Sequence, residues 1–122
     1  MTSNSEIVSR FCEAFARMNA DELAAYFHED AVYHNMPMAP LNGRGEIHAN
    51  FVKLTEKFAR ITFETLHQVE SGRLVFNERI DYMTIGTREV VLPVAGVFEI
   101  DGGLIRAWRD YFDLTPLRAP AV

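Results

Sequence analysis

The chain has 122 residues, about half of them apolar, and a net charge of −5; a chain of this length buries roughly two-thirds of its unfolded surface, so a single domain over residues 1–122 is expected. The acidic balance argues against a nucleic-acid or anionic-membrane partner, since both require a basic face. The one cysteine, Cys12, permits no intrachain disulfide, the N-terminal MTSNSEIV shows no signal peptide, and no apolar run approaches the roughly 18 residues of a membrane span, so a cytoplasmic location is expected.

The first half reads as helical. Ser3 to Glu6 is a capping-box signal ahead of Ile7, Phe11, Phe15 and Met18, an apolar stripe at helical spacing. Asn19 to Glu22 repeats the cap ahead of a short helix carrying Leu23, Ala24 and Phe27. Ala31 to Asn35 is short and strand-like, and Met36 to Gly43 is a Pro/Gly loop. A third helix is expected from Gly45 to about Phe58, with Ile47, Phe51, Leu54 and Phe58 on one side.

The second half reads as strands: Ile61 to Val69, Leu74 to Ile85, Glu89 to Ile100 and Leu104 to Leu114. The turns between them fall at Ser71-Gly72, Gly86-Thr87 and Asp101-Gly102-Gly103, the last a strong hairpin signal. Helices followed by long strands with short turns imply an α+β fold, a curved, mainly antiparallel sheet with about three helices packed on its concave face. Such a cone, closed at one end, suits a small apolar ligand.

Asn77-Glu78-Arg79-Ile80-Asp81-Tyr82-Met83 alternates strictly, so Asn77, Arg79, Asp81 and Met83 share one strand face. In the last strand Trp108, Asp110 and Phe112 share a face, which sets a carboxylate between two large aromatics. Tyr33 and Asn35 also sit at i and i+2, a phenol and a carboxamide able to hold one water. A solvent-exposed Asp110 and a merely buried Tyr33 are the plainer readings of each fragment alone. Together they place two carboxylates, one guanidinium, one phenol and one amide in a single apolar cone.

Buried charges are costly unless paired, and the planar fork of Arg79 can bridge Asp81 and Asp110. Two acids on one arginine leave one excess negative charge. One acid is therefore expected to hold a proton near neutral pH while the other is ionised, giving a general acid and a general base in one pocket.

No covalent nucleophile stands out: there is no G-x-S-x-G turn, and Cys12 lies on the stripe of the first helix. His28, His34, His48 and His67 show no metal-ligand spacing, and no phosphate-binding glycine motif is present. Acid–base chemistry without metal or cofactor remains. One fitting reaction opens an epoxide in a single push–pull step, with water held by Tyr33 and Asn35. The expected wall around the hydrocarbon comprises Leu54, Phe58, Met83, Leu92, Val94, Trp108 and Phe112.

Tyr33-His34-Asn35-Met36-Pro37, Glu78-Arg79-Ile80-Asp81 and above all Trp108-Arg109-Asp110-Tyr111-Phe112-Asp113-Leu114 carry a family likeness. In order and separation the chain resembles the limonene-1,2-epoxide hydrolases, of the NTF2-like (SnoaL-like) superfamily. The resemblance implies Asp110 as general base, Tyr33 and Asn35 as the other holders of the water, Asp81 as general acid, and Arg79 as the bridge between the acids. It also implies a cofactor-free reaction that forms a vicinal trans-diol with no enzyme ester, and a homodimer. The partners expected are thus a small apolar epoxide, water and a second copy of the chain.

Two other readings compete. An isomerase or cyclase on the same fold would use an Asp base, as ketosteroid isomerase does with a Tyr and a protonated Asp as oxyanion hole, but it needs no cation bridging its acids. A ligand-binding or docking module is compatible with the fold and has no use for a buried Asp–Arg–Asp set.

Overall fold

The computed structural model describes residues 2–118. The first helix, α1 (Asn4–Ala14), begins where the cap signal places it. Ser3 accepts the backbone N–H of Glu6 on its hydroxyl at 3.1 Å, and the hydroxyl donates back to the Glu6 carboxylate. Its buried face comprises Val8, Phe11 and Cys12, continued by Phe15 in the 3₁₀ turn Phe15–Arg17, so Ile7 and Met18 flank the stripe. Asn19 caps α2 (Ala20–Ala24) by accepting from the Glu22 N–H at 3.0 Å. Phe27, expected on that helix, instead opens strand β1 (Phe27–Asn35), which starts four residues ahead of the apolar segment that signalled it. The expected loop contains a two-residue strand, β2 (Leu41–Asn42), before α3 (Arg44–Lys57). Helix α3 buries Ile47 and Phe51 and ends where Phe58 turns extended.

The long strands are β3 (Arg60–Ser71), β4 (Leu74–Ile85), β5 (Arg88–Asp101) and β6 (Leu104–Tyr111). The Asp101–Leu104 turn has both glycines at positive φ, 58° and 83°, a backbone shape that side chains resist. Strand β6 stops at Tyr111, three residues before the expected Leu114, and the chain then forms a 3₁₀ turn at Thr115–Leu117. Arg88 ties that turn to β5 by donating to the carbonyls of Pro116 and Leu117 at 3.3 and 3.2 Å. Of the tail expected to be loose, residues 119–122 lie outside the described part.

The six strands form one sheet in the order β2-β1-β6-β5-β4-β3. All pairs are antiparallel except β1 with β6. That parallel pair sets Tyr33 beside Trp108 and Asn35 beside Asp110. The helices lie on one face of the sheet. Beneath them an aromatic cluster closes the narrow end: Phe11 packs edge-on against Trp108 at 4.9 Å and Phe27 at 5.3 Å, and Phe15 against Phe51 at 5.8 Å. Each such fully buried ring contributes about 1.5–3 kcal/mol relative to exposure.

Strand β4 is inverted relative to ordinary amphipathic patterning. Its inward residues are Asn77, Arg79, Asp81 and Met83, all buried, whereas Phe76 and Tyr82 face outward at 40% and 39% exposure. Charged groups inside and aromatics outside go against hydrophobic sorting, so both faces have been shaped by something besides core formation.

Candidate active site

The wide end of the cone is a cavity of about 400 Å³. Its floor is polar and its walls apolar. Asp81 from β4, Asp110 from β6 and Tyr33 and Asn35 from β1 all reach it. The expected wall residues Leu54, Phe58, Met83, Leu92, Val94 and Phe112 all line it, joined by Phe63 and Ile61 of β3.

Two of the expected residues lie behind that surface. Arg79 is fully buried under the floor. Trp108, expected in the wall, is fully buried as well: its ring stacks flat on Tyr33 at 4.2 Å and 5°, and its indole N–H donates to Asp110 Oδ1 at 2.6 Å. A ring at i−2 of an inward carboxylate shares its face, but here Tyr33 of the neighbouring strand lies over it. Trp108 therefore supports the site from behind and does not touch the cavity.

The register explains how the polar groups meet. Asn77 of β4 pairs with Gly96 of β5, Gly96 pairs with Asp110 of β6, and Asp110 pairs with Asn35 of β1. These four residues form a row straight across the concave face. Arg79, two residues along from Asn77, leans over Gly96 to reach Asp110. A Cβ on Gly96 would stand 2.6 Å from Arg79 Nη1, 2.8 Å from Asp110 Oδ1 and 2.9 Å from Asn77 Oδ1. The glycine is thus the gap through which the guanidinium passes.

All five guanidinium N–H groups are used. Nε and Nη2 donate to the two oxygens of Asp81, both at 3.0 Å. Nη1 and Nη2 donate to the two oxygens of Asp110 at 3.2 and 2.7 Å. The remaining Nη1 hydrogen goes to Asn77 Oδ1 at 3.0 Å. The Phe63 ring covers the guanidinium at 4.6 Å, within cation–π range. Burial opposes the charge on Arg79, but Asp110 and Asp81 together keep it protonated, with its pKa well above the ordinary value.

The two acids differ in their surroundings. Asp110 accepts three N–H bonds, two from Arg79 and one from Trp108. Among the described residues Asp81 accepts only from Arg79, and it faces the apolar wall. Burial pushes Asp81 from 3.8 up to about 6; Arg79 pulls against that rise and Asp110 adds to it. Asp81, which the resemblance implies as the general acid, therefore keeps its proton to a higher pH than an ordinary carboxyl. Tyr33 donates its phenol proton to Asn35 Oδ1 at 3.2 Å, and burial, reinforced by Asp110, raises its pKa far from neutrality. It acts as a neutral hydroxyl.

Asn77, Gly96 and the donor role of Trp108 were not singled out from the sequence. Asn77 shares the i, i+2, i+4 face of Arg79 and Asp81, and a glycine inside a long strand signals close approach, so both had a readable signal. Among the described residues no group of three or more His, Cys, Asp or Glu side chains could hold a metal ion, and no helix is long and apolar enough to cross a membrane.

The chain as a whole is similar to known proteins. The family model of the limonene-1,2-epoxide hydrolase catalytic domain matches residues 2–119.

The chain belongs to the limonene-1,2-epoxide hydrolase family.

Epoxide hydrolase EphG of Mycobacterium tuberculosis is 35% identical to it over 109 residues, 88% of this chain and 71% of that protein. Among solved structures, an M. tuberculosis epoxide hydrolase described as like this family superposes with a TM-score of 0.84 at 28% identity, covering 93% of this chain and 84% of that one. The epoxide hydrolase/cyclase-like enzyme SalBIII, of pyran ring formation in salinomycin, reaches 0.83 at 21% identity over 93% and 92% of the two chains, a likeness of fold alone. The fold is also that of solved NTF2-like and SnoaL-like proteins, at TM-scores of 0.77 and 0.83, as the resemblance implied, and this member of the limonene-1,2-epoxide hydrolase family is an enzyme of the epoxide hydrolase type.

Proposed function

We propose that this chain opens small, largely apolar epoxides of the limonene-1,2-epoxide type to vicinal trans-diols in one step, without cofactor or enzyme ester. The observation that carries this reading is that Arg79 forms bidentate contacts with both Asp81 and Asp110, which leaves two unlike acids facing one cavity.

In this reading Asp110 is the base. It takes a proton from a water that also contacts the Asn35 amide and the Tyr33 phenol. The water oxygen bonds to a ring carbon from the side opposite the ring oxygen, and that C–O bond breaks. Asp81 delivers its proton to the departing oxygen. Asp110 then holds the proton and Asp81 does not, so one proton passes back through solvent before the next cycle. Each positioned proton transfer is typically worth about 10²–10⁴ in rate, and fixing the water adds a positioning gain. The apolar wall holds the hydrocarbon so that the ring lies between the two acids, and the cavity volume of about 400 Å³ suits a compact ligand.

An enone isomerase would have no use for the arginine bridge. A diol assay on limonene oxide and cyclohexene oxide, run beside an enone, separates the two. The expected result is diol from the parent, none above background from Asp81→Asn or Asp110→Asn, and no turnover of the enone. Full epoxide opening by either variant would overturn the proposal.

The reading extends to a homodimer through the outer face of the sheet. Tyr82 pairs with Val91, Phe76 with Val97 and Ala95 with Tyr111, and Val91 and Tyr111 are about half exposed, 53% and 47%. Exposed apolar side chains grouped on the outer face of a sheet, here interrupted by Glu78 and Arg109, suit a protein contact.

A further inference from the structure

Asn77 takes no part in the chemistry above, yet it is the third partner of the Arg79 guanidinium. Its side chain is buried on β4, 4% exposed. Its Oδ1 takes the one guanidinium hydrogen that neither acid uses. Its amide nitrogen points away, donating to Gln68 Oε1 at 3.2 Å and approaching the Cys12 sulfur at 3.8 Å. Gln68 is itself oriented by α1, where its Nε2 donates to the Ser5 carbonyl, the Ser5 hydroxyl and the Ser9 hydroxyl at 2.9, 2.8 and 3.0 Å. Gln68 therefore has only its oxygen to offer, which forces the Asn77 nitrogen towards it and the Asn77 oxygen towards Arg79. A flipped Asn77 amide would set donor against donor at Arg79 and acceptor against acceptor at Gln68.

The charge balance gives this neutral acceptor a purpose. Arg79 already serves two carboxylates. Cys12 beside them stays a neutral thiol, its pKa pushed up to about 12 by burial. An acceptor is needed for the last N–H, because a buried unpaired donor costs about 1–3 kcal/mol, but a charged acceptor would compete for the one cation.

We propose that Asn77 is a positioning residue that saturates Arg79 without adding charge, holding the guanidinium between Asp81 and Asp110 in an orientation that α1 imposes through Gln68. The proposal rests on the acid–base reading for its effect on turnover, but its effect on the titration of Asp81 stands apart from that reading. The groups facing Asp81 are Arg79 on its own strand, Asp110 on β6, Tyr33 on β1 and Cys12 on α1, with Lys53 and Lys57 of α3 and Arg118 after the last 3₁₀ turn lining the same cavity.

The test is the near-isosteric Asn77→Asp, followed by carboxyl ¹³C NMR titration of Asp81 and by kcat/KM against pH on cyclohexene oxide. A third carboxylate on the guanidinium is expected to raise the Asp81 midpoint by about one pH unit or more, and to move the alkaline limb of kcat/KM upward with it. Asn77→Leu, checked for folding by its melting curve, is expected to lower kcat about tenfold with KM nearly unchanged. An Asp81 midpoint unmoved in Asn77→Asp would overturn the proposal, as would parental kcat in a folded Asn77→Leu. If the parent opened no epoxide, the hydrolase reading would fail, while the NMR midpoint would still decide the role of Asn77.

Discussion

Trp108 and Asp110, two residues apart on β6, are joined by a 2.6 Å hydrogen bond from the indole N–H to Oδ1. Because the same ring stacks on Tyr33, one side chain sets both the proposed base and a proposed holder of the water. Trp108→Phe keeps an aromatic surface and removes the donor. A hydrogen bond to a charged acceptor is worth about 1.5–3 kcal/mol. The expected outcome in steady-state kinetics is therefore a fall in kcat of about tenfold to a hundredfold, with KM little changed. Parental kcat would show that Arg79 alone orients Asp110.

Gly96 offers a sharper steric test. Its missing Cβ leaves room for Arg79 Nη1, and an Ala there would sit 2.6 Å away. Overpacking of that kind costs about 1–3 kcal/mol. Gly96→Ala is expected to lower stability to urea by that amount and to reduce kcat more than tenfold, because the guanidinium must leave one acid to make room. Ordinary activity in this variant would mean that the bridge is dispensable.

The pH dependence follows from Asp81. In the proposed mechanism Asp81 is the general acid and must carry its proton; burial raises its pKa to about 6, so kcat/KM is expected to fall as pH rises through about 6. Stability moves the same way. The folded pKa lies above the ordinary 3.8, so the folded state binds this proton more tightly than the unfolded one. The stabilisation is complete below about 3.8 and is lost as pH rises to about 6, a change of about 3 kcal/mol. Urea unfolding of the parent against Asp81→Asn from pH 4 to 7 checks it: the parent is expected to lose ground to the variant as pH rises.

The outer face predicts assembly. Val91→Asp places a charge in the middle of the exposed apolar face without touching the cavity. Sedimentation equilibrium is expected to show a dimer for the parent and a monomer for the variant. A monomeric parent would contradict the reading of that face.

The legible parts of the sequence were those with local causes. Ser3 and Asn19 announced their helices because a side-chain oxygen satisfies a free N–H within the same turn. The paired glycines at 102 and 103 announced their hairpin through backbone geometry. The alternation around Arg79 and Asp81 showed that the two shared a face, and the family likeness said which face. The parallel pairing of β1 with β6 left no local mark, since register between distant strands is set by tertiary packing. It is that pairing which covers Trp108 with Tyr33, so the misplacement of Trp108 in the cavity wall follows from it. Phe27 was assigned to a helix because one apolar residue fits either period; only the bulged start of β1 decides it.

Single-turnover hydrolysis in ¹⁸O-labelled water distinguishes direct attack by a water that Asp110 activates from attack by an aspartate. Direct attack is expected to put label in the diol formed during the first turnover. Unlabelled diol in that turnover, with label entering only in the second, would mean that an aspartate had bonded to the substrate, and would contradict it.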